Sequence, residues 1–237
     1  MDHSSKRQLN PARLLGKIAL LNDLSPVDLE KYTGFLQFRE ADKGSAILQK
    51  GSPGEHLVFL LSGRLQVLDV SEDGREIGLT FLNEGDYFGE LSVIDGLPRS
   101  ANVVASENST YALLPRSHAL NLICFHPPVA ERVLRKMASD VRKASNYRAI
   151  LSIPNAFQRV YAMLHYLTCT SPSGLVMIEH MPTHHEISVM VNTSRETVSR
   201  AISLIAERKW VEKDMKRLIV RDAEALRLAG FNEPVPK

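Results

Sequence analysis

Residues 88–101 read FGELSVIDGLPRSA, and this stretch carries the groups with which a protein would bind a cyclic phosphate ester. A phosphate is bound well by a guanidinium, by backbone N–H groups that a glycine leaves accessible, and by a short hydroxyl. Arg99, Gly89 and Ser100 supply these groups, and Glu90 supplies a carboxylate that can accept a hydrogen bond from a ribose hydroxyl. The same spacing fits an alternative in which Glu90 and Arg99 pair with each other across a hairpin.

The region around this stretch consists of short runs with β-strand character, separated by turn residues. The runs span residues 46–48, 57–61, 65–70, 77–82 and 103–114, and the turns are marked by Gly44, Gly51, Gly63, Gly74 and Gly85. Many short strands at this spacing predict a β-sandwich or barrel-like domain. Two short helices are predicted before it, at residues 14–21 and 26–35, the second with Ser25 as its N-cap and Pro26 at its first position.

A long helical pattern follows Pro128. Its apolar seam recurs at alternating steps of four and three residues with one polar exception, through Ala130, Leu134, Met137, Val141, Ala144, Arg148 and Leu151. This heptad-like spacing favours a helix that pairs with a second copy of itself, and the alternative is an amphipathic helix lying on its own domain. Pro154 ends the pattern, and Asn155 is expected to cap a helix over residues 156–167.

Residues 183–200 read THHEISVMVNTSRETVSR and predict a helix-turn-helix. The inward positions of its two helices are Ile187, Val191, Val198, Ala201 and Ile205. Asn192 stands at the tight turn, where a left-handed backbone is usually needed. Two further runs, residues 210–213 and 217–221, enclose a short turn and predict a wing hairpin.

The first turns of the second helix carry side chains suited to reading base edges, namely Arg195, Glu196, Ser199 and Arg200. Arginine pairs with guanine through two hydrogen bonds, and glutamate can accept from cytosine, so this set predicts a half-site that contains G·C pairs. The alternative is a solvated helix face with an intrahelical ion pair.

These two segments, together with the glycines between them and the wing, make the chain resemble the CRP/FNR family of bacterial transcription regulators from about Leu15 to Leu226. The resemblance implies an α+β fold with a jelly-roll-like, cyclic-nucleotide-binding β-roll, a long central dimerisation helix and a C-terminal winged helix-turn-helix. The corresponding domains are residues 1–127, 128–153 and 154–237.

The resemblance also assigns roles to the residues of the ligand site. It gives the ribose hydroxyl to Glu90, the cyclic phosphate to Arg99 and Ser100, and close backbone approach to Gly89, with Leu91 in the same motif. Ser145 falls where the family offers a serine to the base of the ligand bound by the partner subunit. A threonine and an arginine of the family pattern are replaced here by Ala144 and Asp140. The effector is therefore open between cAMP, which is the first expectation, cyclic di-GMP and none.

The recognition helix resembles the family pattern S-R-E-T-V-x-R, which places Arg195, Glu196 and Arg200 at the base-reading positions and implies a palindrome of TGTGA-like half-sites. Thr183, Ser194 and Thr197 would contact phosphates, as hydroxyls at helix N-termini do. Double-stranded DNA, a second copy of the chain and RNA polymerase are the expected partners. A protein of another class, a cyclic-nucleotide regulatory module without DNA binding, is the main rival.

The composition limits the remaining classes of protein. The 237 residues carry 29 Lys+Arg against 27 Asp+Glu, a net charge of +2 that excludes a non-specific coat protein for nucleic acid. Residues 1–154 carry 18 charges of each sign, while residues 155–237 carry 11 basic and 9 acidic side chains. The small excess therefore lies in the part with the helix-turn-helix.

Cofactor chemistry, export and enzymatic activity find no support in the sequence. Two cysteines, Cys124 and Cys169, are too few for an iron–sulfur cluster, which needs about four ligands. No metal or haem is expected either, and we find no nucleophile with an adjacent base. The longest apolar run, residues 57–61, is far short of the roughly 20 residues that span a bilayer. We expect a cytoplasmic protein that is not an enzyme.

Overall fold

A computed structural model of the chain describes residues 18–70 and 76–231. The predicted turn at Gly74 and the start of the helix predicted at residues 14–21 lie outside these residues. The chain divides into two units, residues 1–139 and 140–237. The boundary falls within the predicted central helix, and the predicted division into three domains stays a prediction.

The first unit contains two antiparallel four-stranded sheets. Its strands are β1 Gln37–Ala41, β2 Ala46–Leu48, β3 His56–Ser62, β4 Arg64–Val70, β5 Glu76–Asn83, β6 Tyr87–Phe88, β7 Asn102–Ala105 and β8 Ser109–Pro115. The strand orders are β1-β8-β3-β6 and β2-β7-β4-β5. This arrangement confirms the predicted β-roll.

Strand β3 explains why one run of the sequence is apolar without alternation. Successive side chains of a strand point to opposite faces, and both faces of β3 are covered. Leu57 and Phe59 enter one core cluster, while Val58 and Leu60 enter the other. Both clusters therefore meet at this strand, directly beside β6 and the stretch that follows it.

The run predicted as one strand over residues 103–114 forms two strands, β7 and β8, and the single-strand prediction was wrong. Residues 106–108 turn between them, and the Asn108 carboxamide oxygen accepts a hydrogen bond from Lys43 N at 2.9 Å. The Ser109 hydroxyl donates to the Glu107 carbonyl at 2.7 Å. The Asn108 side chain thus bonds to the loop after β1, and the Ser109 hydroxyl bonds within the turn that interrupts the apolar pattern.

The helices of the first unit frame the sheets. They are a 3₁₀ turn at Ala19–Leu21, α1 Pro26–Thr33, α2 Glu90–Asp95 and α3 Arg116–Phe125, followed by α4 Pro127–Leu151, which continues into the second unit. The Ser25 hydroxyl accepts from Asp28 N at 3.1 Å, so the predicted N-cap is confirmed. The sequence pattern did not predict helices α2 and α3.

Helix α4 has two apolar faces. Val129 and Val133 are buried in the core of the first unit, and Met137 packs against the same core. Two residues of the predicted seam, Leu134 and Val141, are 66% and 67% exposed. The helix therefore lies on its own domain, as the alternative stated, and still carries a second apolar stripe that the described chain does not cover.

The second unit is a winged helix-turn-helix. Its elements are α5 Ala156–Tyr166, β9 Cys169–Thr170, β10 Val176–Ile178, α6 His184–Met190, α7 Arg195–Glu207, β11 Val211–Asp214, β12 Arg217–Val220 and α8 Ala223–Phe231. The strands form one sheet in the order β11-β12-β10-β9. The predicted cap is confirmed because the Asn155 side chain accepts from Phe157 N at 2.8 Å. The predicted wing is confirmed as well, although β9, β10 and α8 were not predicted.

Candidate ligand pocket and DNA-reading surface

Gly89 lies between β6 and α2 in a conformation that few other residues adopt. Its φ angle is +79°, and a Cβ atom added there would lie 2.4 Å from Arg99 Nη1 and 3.4 Å from the His56 carbonyl oxygen. Both the backbone and the available space therefore require glycine. The close approach also lets the Gly89 carbonyl accept a hydrogen bond from Arg99 Nη1 at 2.8 Å.

Arg99 is held by backbone groups on several sides and is only 4% exposed. Its Nη2 donates to the His56 carbonyl at 2.7 Å, and its own N–H donates to the Ser52 carbonyl at 2.9 Å. Burial lowers the pKa of Arg99, and the carboxylate of Glu90 opposes that change. The described residues offer no hydrogen-bond acceptor to its buried Nε. A buried donor without an acceptor is costly, and an anion would remove that cost.

Glu90, the first residue of α2, pairs with a different cation from the one considered in the sequence. Its Oε1 lies 2.8 Å from Lys136 Nζ on α4, and the Glu90 side chain is only 8% exposed. No ion pair joins Glu90 to Arg99 among the described residues, so the alternative of a simple Glu90–Arg99 pair does not hold. Lys136 also lies 5.3 Å from the centroid of the Tyr87 ring.

Lys136 is the site residue that sequence reasoning missed. Lys136 lies outside the apolar seam of α4, and an ordinary lysine on a solvent-exposed helix face would occupy such a position as well. The clue in the sequence was Glu90, because a carboxylate expected in a pocket needs a cation or a hydrogen-bond donor close by. The sequence did not show which cation the fold would bring there.

The other predicted ligand residues lie in different settings. Leu91 is 42% exposed on α2, and Ser100 is exposed in the loop before β7. Ser145 lies on α4 in the second unit, where its hydroxyl donates to the Val141 carbonyl at 3.2 Å. The contacts of these residues with a ligand stay predictions.

The residues of the first unit fit the phosphate and ribose of a cyclic nucleotide. Arg99 is held in place by backbone carbonyl groups and keeps an unused donor, Gly89 has no side chain and so lets the guanidinium approach its backbone, and Glu90 is an adjacent acceptor. Among residues 18–70 and 76–231, no three His, Cys, Asp or Glu side chains are grouped closely enough to hold a metal ion. None of the described helices is long and apolar enough to span a membrane.

Each helix of the helix-turn-helix begins at a side-chain N-cap. The Thr183 hydroxyl accepts from Glu186 N at 3.2 Å, and Glu186 Oε2 accepts from Thr183 N at 2.6 Å, which forms a capping box. The Ser194 hydroxyl accepts from Thr197 N at 3.1 Å. Thr183 and Ser194 therefore cap the two helices, Thr197 binds the second cap, and the contacts of these three residues with phosphates stay predictions.

The predicted inward and outward faces of the two helices are confirmed. The five predicted core residues are 0% exposed, namely Ile187, Val191, Val198, Ala201 and Ile205. Asn192 has a φ angle of +47°, as the tight turn requires. Burial of these side chains fixes the outward direction of the opposite face of α7.

Arg195, Glu196 and Arg200 are exposed on α7, and Ser199 is half-buried beside them. In the described part of the chain no ion pair joins Glu196 to Arg195 or Arg200, so the alternative of a paired, solvated face is not observed. The pKa of Glu196 is lowered mainly by its own backbone N–H and the Ser194 hydroxyl, and further by the two arginines. The carboxylate is therefore ionised and ready to accept a hydrogen bond.

The backbone of the turn between α6 and α7 is held by two side chains of the same unit. Arg159 on α5 donates to four carbonyl oxygens at 2.8–3.1 Å, those of Val191, Asn192, Ile153 and Pro154. The hydroxyl of Tyr147 on α4 donates to the Met190 carbonyl. Burial raises the pKa of Tyr147, so this donor stays protonated. Three consecutive carbonyl groups, from Met190 to Asn192, are thus fixed from outside the two helices.

Two family models match this chain, one for each unit. The model described as a cyclic nucleotide-binding domain matches residues 38–124, and the model described as a Crp-like helix-turn-helix domain matches residues 158–229. The first match includes Gly89 and Arg99, and the second includes both helices of the helix-turn-helix.

Similar proteins match along most of the chain. The cyclic AMP receptor protein of Thermus thermophilus is 32% identical over 213 residues, covering 90% of this chain and 96% of that protein. A CRP-like cAMP-activated global transcriptional regulator of Mycobacterium tuberculosis is 29% identical over 216 residues, with the same coverage of 90% and 96%. The structure of FixK2 from Bradyrhizobium japonicum has a TM-score of 0.69 at 19% identity, covering 85% of this chain and 99% of that one.

Proposed function

This chain belongs to the CRP/FNR family of transcription regulators, and on that premise we propose that it is a homodimeric, DNA-binding regulator controlled by cAMP. The observation that carries the proposal is Arg99, a buried guanidinium with an unused Nε donor beside a glycine that admits no side chain. Each subunit joins this site to an exposed set of base-reading side chains on α7.

The charge of the site favours cAMP over a cyclic dinucleotide. Glu90 contributes one negative charge, and Arg99 and Lys136 contribute two positive charges, which leaves one positive charge. The single negative charge of cAMP would balance it, whereas cyclic di-GMP carries two. Cyclic di-GMP and independence from any effector are the competing outcomes of a ligand titration.

In the proposed mechanism each pocket residue has a separate task. Arg99 Nε donates to a phosphate oxygen of the ligand, Ser100 adds a hydroxyl donor, and Glu90 accepts from the ribose hydroxyl. Ser145 would contact the base of the ligand that the partner subunit holds. Leu134 and Val141 would present the apolar stripe of α4 to a second copy of the chain. Ligand binding would shift the conformational equilibrium of α4, which requires that the ligand bind one conformation more tightly than the other.

On DNA, the two recognition helices of the dimer would enter successive major grooves about 34 Å apart, the spacing that dimeric helix-turn-helix proteins use. Arg195 and Arg200 would each pair with a guanine, and Glu196 would accept from a cytosine of a TGTGA-like half-site. Thr183, Ser194 and Thr197 would contact phosphates. RNA polymerase is a further proposed partner.

Calorimetric titration of the full chain with cAMP, cGMP and cyclic di-GMP tests the ligand proposal. We expect cAMP to bind, and Arg99→Gln to abolish the binding while the helix-turn-helix continues to fold. Preference for cyclic di-GMP or absence of binding by all three nucleotides would overturn the choice of cAMP. A chain that binds cAMP but no duplex DNA would instead support the regulatory module of another class.

A further inference from the structure

The ion pair between Lys136 and Glu90 joins helix α4 to the proposed pocket. Lys136 Nζ lies 2.8 Å from Glu90 Oε1, and the two side chains are 26% and 8% exposed. Both residues belong to the first unit. Such a sheltered pair differs from the exposed Arg135–Glu131 pair one residue away, whose side chains are 78% and 63% exposed.

The geometry leaves half of the carboxylate available. Lys136 bonds to Oε1, and the described residues provide no hydrogen-bond partner for Oε2. A carboxylate can accept about four hydrogen bonds, so an ammonium on one oxygen does not exclude a hydroxyl on the other. The lysine therefore restrains the carboxylate without occupying all of it.

We propose that Lys136 is a positioning residue for ribose recognition: its ammonium holds the Glu90 carboxylate in an orientation in which Oε2 accepts a hydrogen bond from the ribose 2′-hydroxyl of the ligand. The inference rests on the proposed cAMP site and deepens it. Recognition of that one hydroxyl then depends on a side chain of α4, the helix that carries the exposed apolar stripe. A ligand that lacks the hydroxyl would bind through Arg99 and make no hydrogen bond to the carboxylate that α4 positions.

A comparison of two ligands tests this role, because only one of them carries the group in question. The affinities of cAMP and 2′-deoxy-cAMP are measured calorimetrically on the full chain for wild type and Lys136→Met. We expect the variant to lose cAMP affinity by a factor on the order of ten, as for a hydrogen bond to a charged group. The affinity for 2′-deoxy-cAMP should fall by a clearly smaller factor, because both ligands lose the charge of Lys136 and only cAMP offers Glu90 a 2′-hydroxyl.

Three further variants make the result decisive. Lys136→Arg keeps a cation and should restore most of the preference for cAMP, whereas Lys136→Gln, which places a neutral donor there, should not. Arg135→Gln removes the same charge from the adjacent exposed position and should leave both affinities unchanged. Equal loss of both ligands in Lys136→Met, or no loss of either, would overturn the role of Lys136. Absence of cAMP binding by the wild type would instead overturn the proposed function.

Discussion

At the scale of single residues, the proposed ligand site depends on the contact between Gly89 and Arg99. Replacing Gly89 with Ala places a methyl group 2.4 Å from Arg99 Nη1 at a φ angle of +79°. We expect an unfolding free energy lower by roughly 1–2 kcal/mol from the left-handed backbone, together with loss of cAMP affinity because Arg99 must move. Chemical denaturation and calorimetry measure the two effects.

Gly44→Ala is the matched control for this substitution. Gly44 has a φ angle of +88°, and an added Cβ would meet nothing within 4 Å. It should lose similar stability and bind cAMP normally. If both variants bind cAMP as the wild type does, Gly89 serves the backbone alone and the proposed contact with the ligand site is wrong.

Arg195 is the residue that we expect to read one guanine of the half-site. Arg195→Ala should reduce discrimination against the wrong base at that position by roughly 1–3 kcal/mol, measured by binding to a set of singly substituted duplexes. Lys209→Ala, at an exposed lysine just after α7, provides a charge-matched control. A uniform loss of affinity for every duplex in Arg195→Ala would make this arginine a phosphate contact only.

The types of residue in both sites could be predicted from the sequence because their chemistry is local. Glycine, arginine and glutamate within one short segment limit what that segment can bind. The partner of Glu90 could not be predicted, since Lys136 is 46 residues away and reaches it only through the packing of α4. Ser194 was predicted from the sequence as a phosphate contact, and in the structure it caps α7.

At the scale of secondary-structure elements, the turn between α6 and α7 depends on Tyr147. Tyr147→Phe leaves the Met190 carbonyl without this donor. We expect the unfolding free energy to fall by about 1–3 kcal/mol, the cost of an unsatisfied buried acceptor, as measured by urea denaturation. Affinity for specific DNA should fall as well, because the turn sets the direction of α7.

Tyr166→Phe is the control for the loss of a tyrosine hydroxyl. Tyr166 lies at the end of α5, half-buried, and its hydroxyl has no hydrogen bond within the described residues. Its removal should change stability by less than about 0.5 kcal/mol. Equal stability of Tyr147→Phe and wild type would contradict a structural role for the Tyr147 hydroxyl.

Helix α4 provides the test of self-association. Val141→Asp would place a carboxylate on the stripe that we expect a second copy to cover, and burial of an unpaired charge is strongly unfavourable. The dimer dissociation constant should rise by a factor on the order of 100 or more, as measured by sedimentation equilibrium. Val27→Asp, at a valine 76% exposed on α1, should leave the dimer intact. A monomeric wild type, or a Val141→Asp dimer with an unchanged dissociation constant, would contradict the proposal that α4 mediates dimerisation.

Element boundaries followed from the sequence where apolar spacing and a cap agreed. Ser25 and Asn155 were such positions, and both caps are present. The apolar pattern predicts β7 and β8 as one strand, because it continues across the turn at residues 106–108, where the Ser109 hydroxyl donates to the Glu107 carbonyl. Strand β10 pairs with the wing strand β12 over two residue pairs and with β9 over two, so no local sequence pattern predicts this pairing.

At the scale of the whole molecule, the net charge predicts little about what the chain binds, and the positions of the charged residues predict more. The chain has a net charge of +2, yet Arg195 and Arg200 are exposed together on one helix. Arg99 is buried, so under the proposed function the same type of residue would bind a small anion in one unit and DNA in the other. A ligand that changes DNA affinity would couple these two sites.

The most direct test of that coupling is a fluorescence anisotropy titration of the full chain on a duplex with two inverted TGTGA half-sites, with and without cAMP. We expect cAMP to tighten binding by roughly 5- to 150-fold, the usual range of coupling between two sites, and to leave affinity for a scrambled duplex unchanged. Arg99→Gln should bind the specific duplex equally with and without cAMP. Equal affinity of the wild-type chain for the specific duplex in both conditions, or equal affinity for both duplexes, would contradict the proposed coupling.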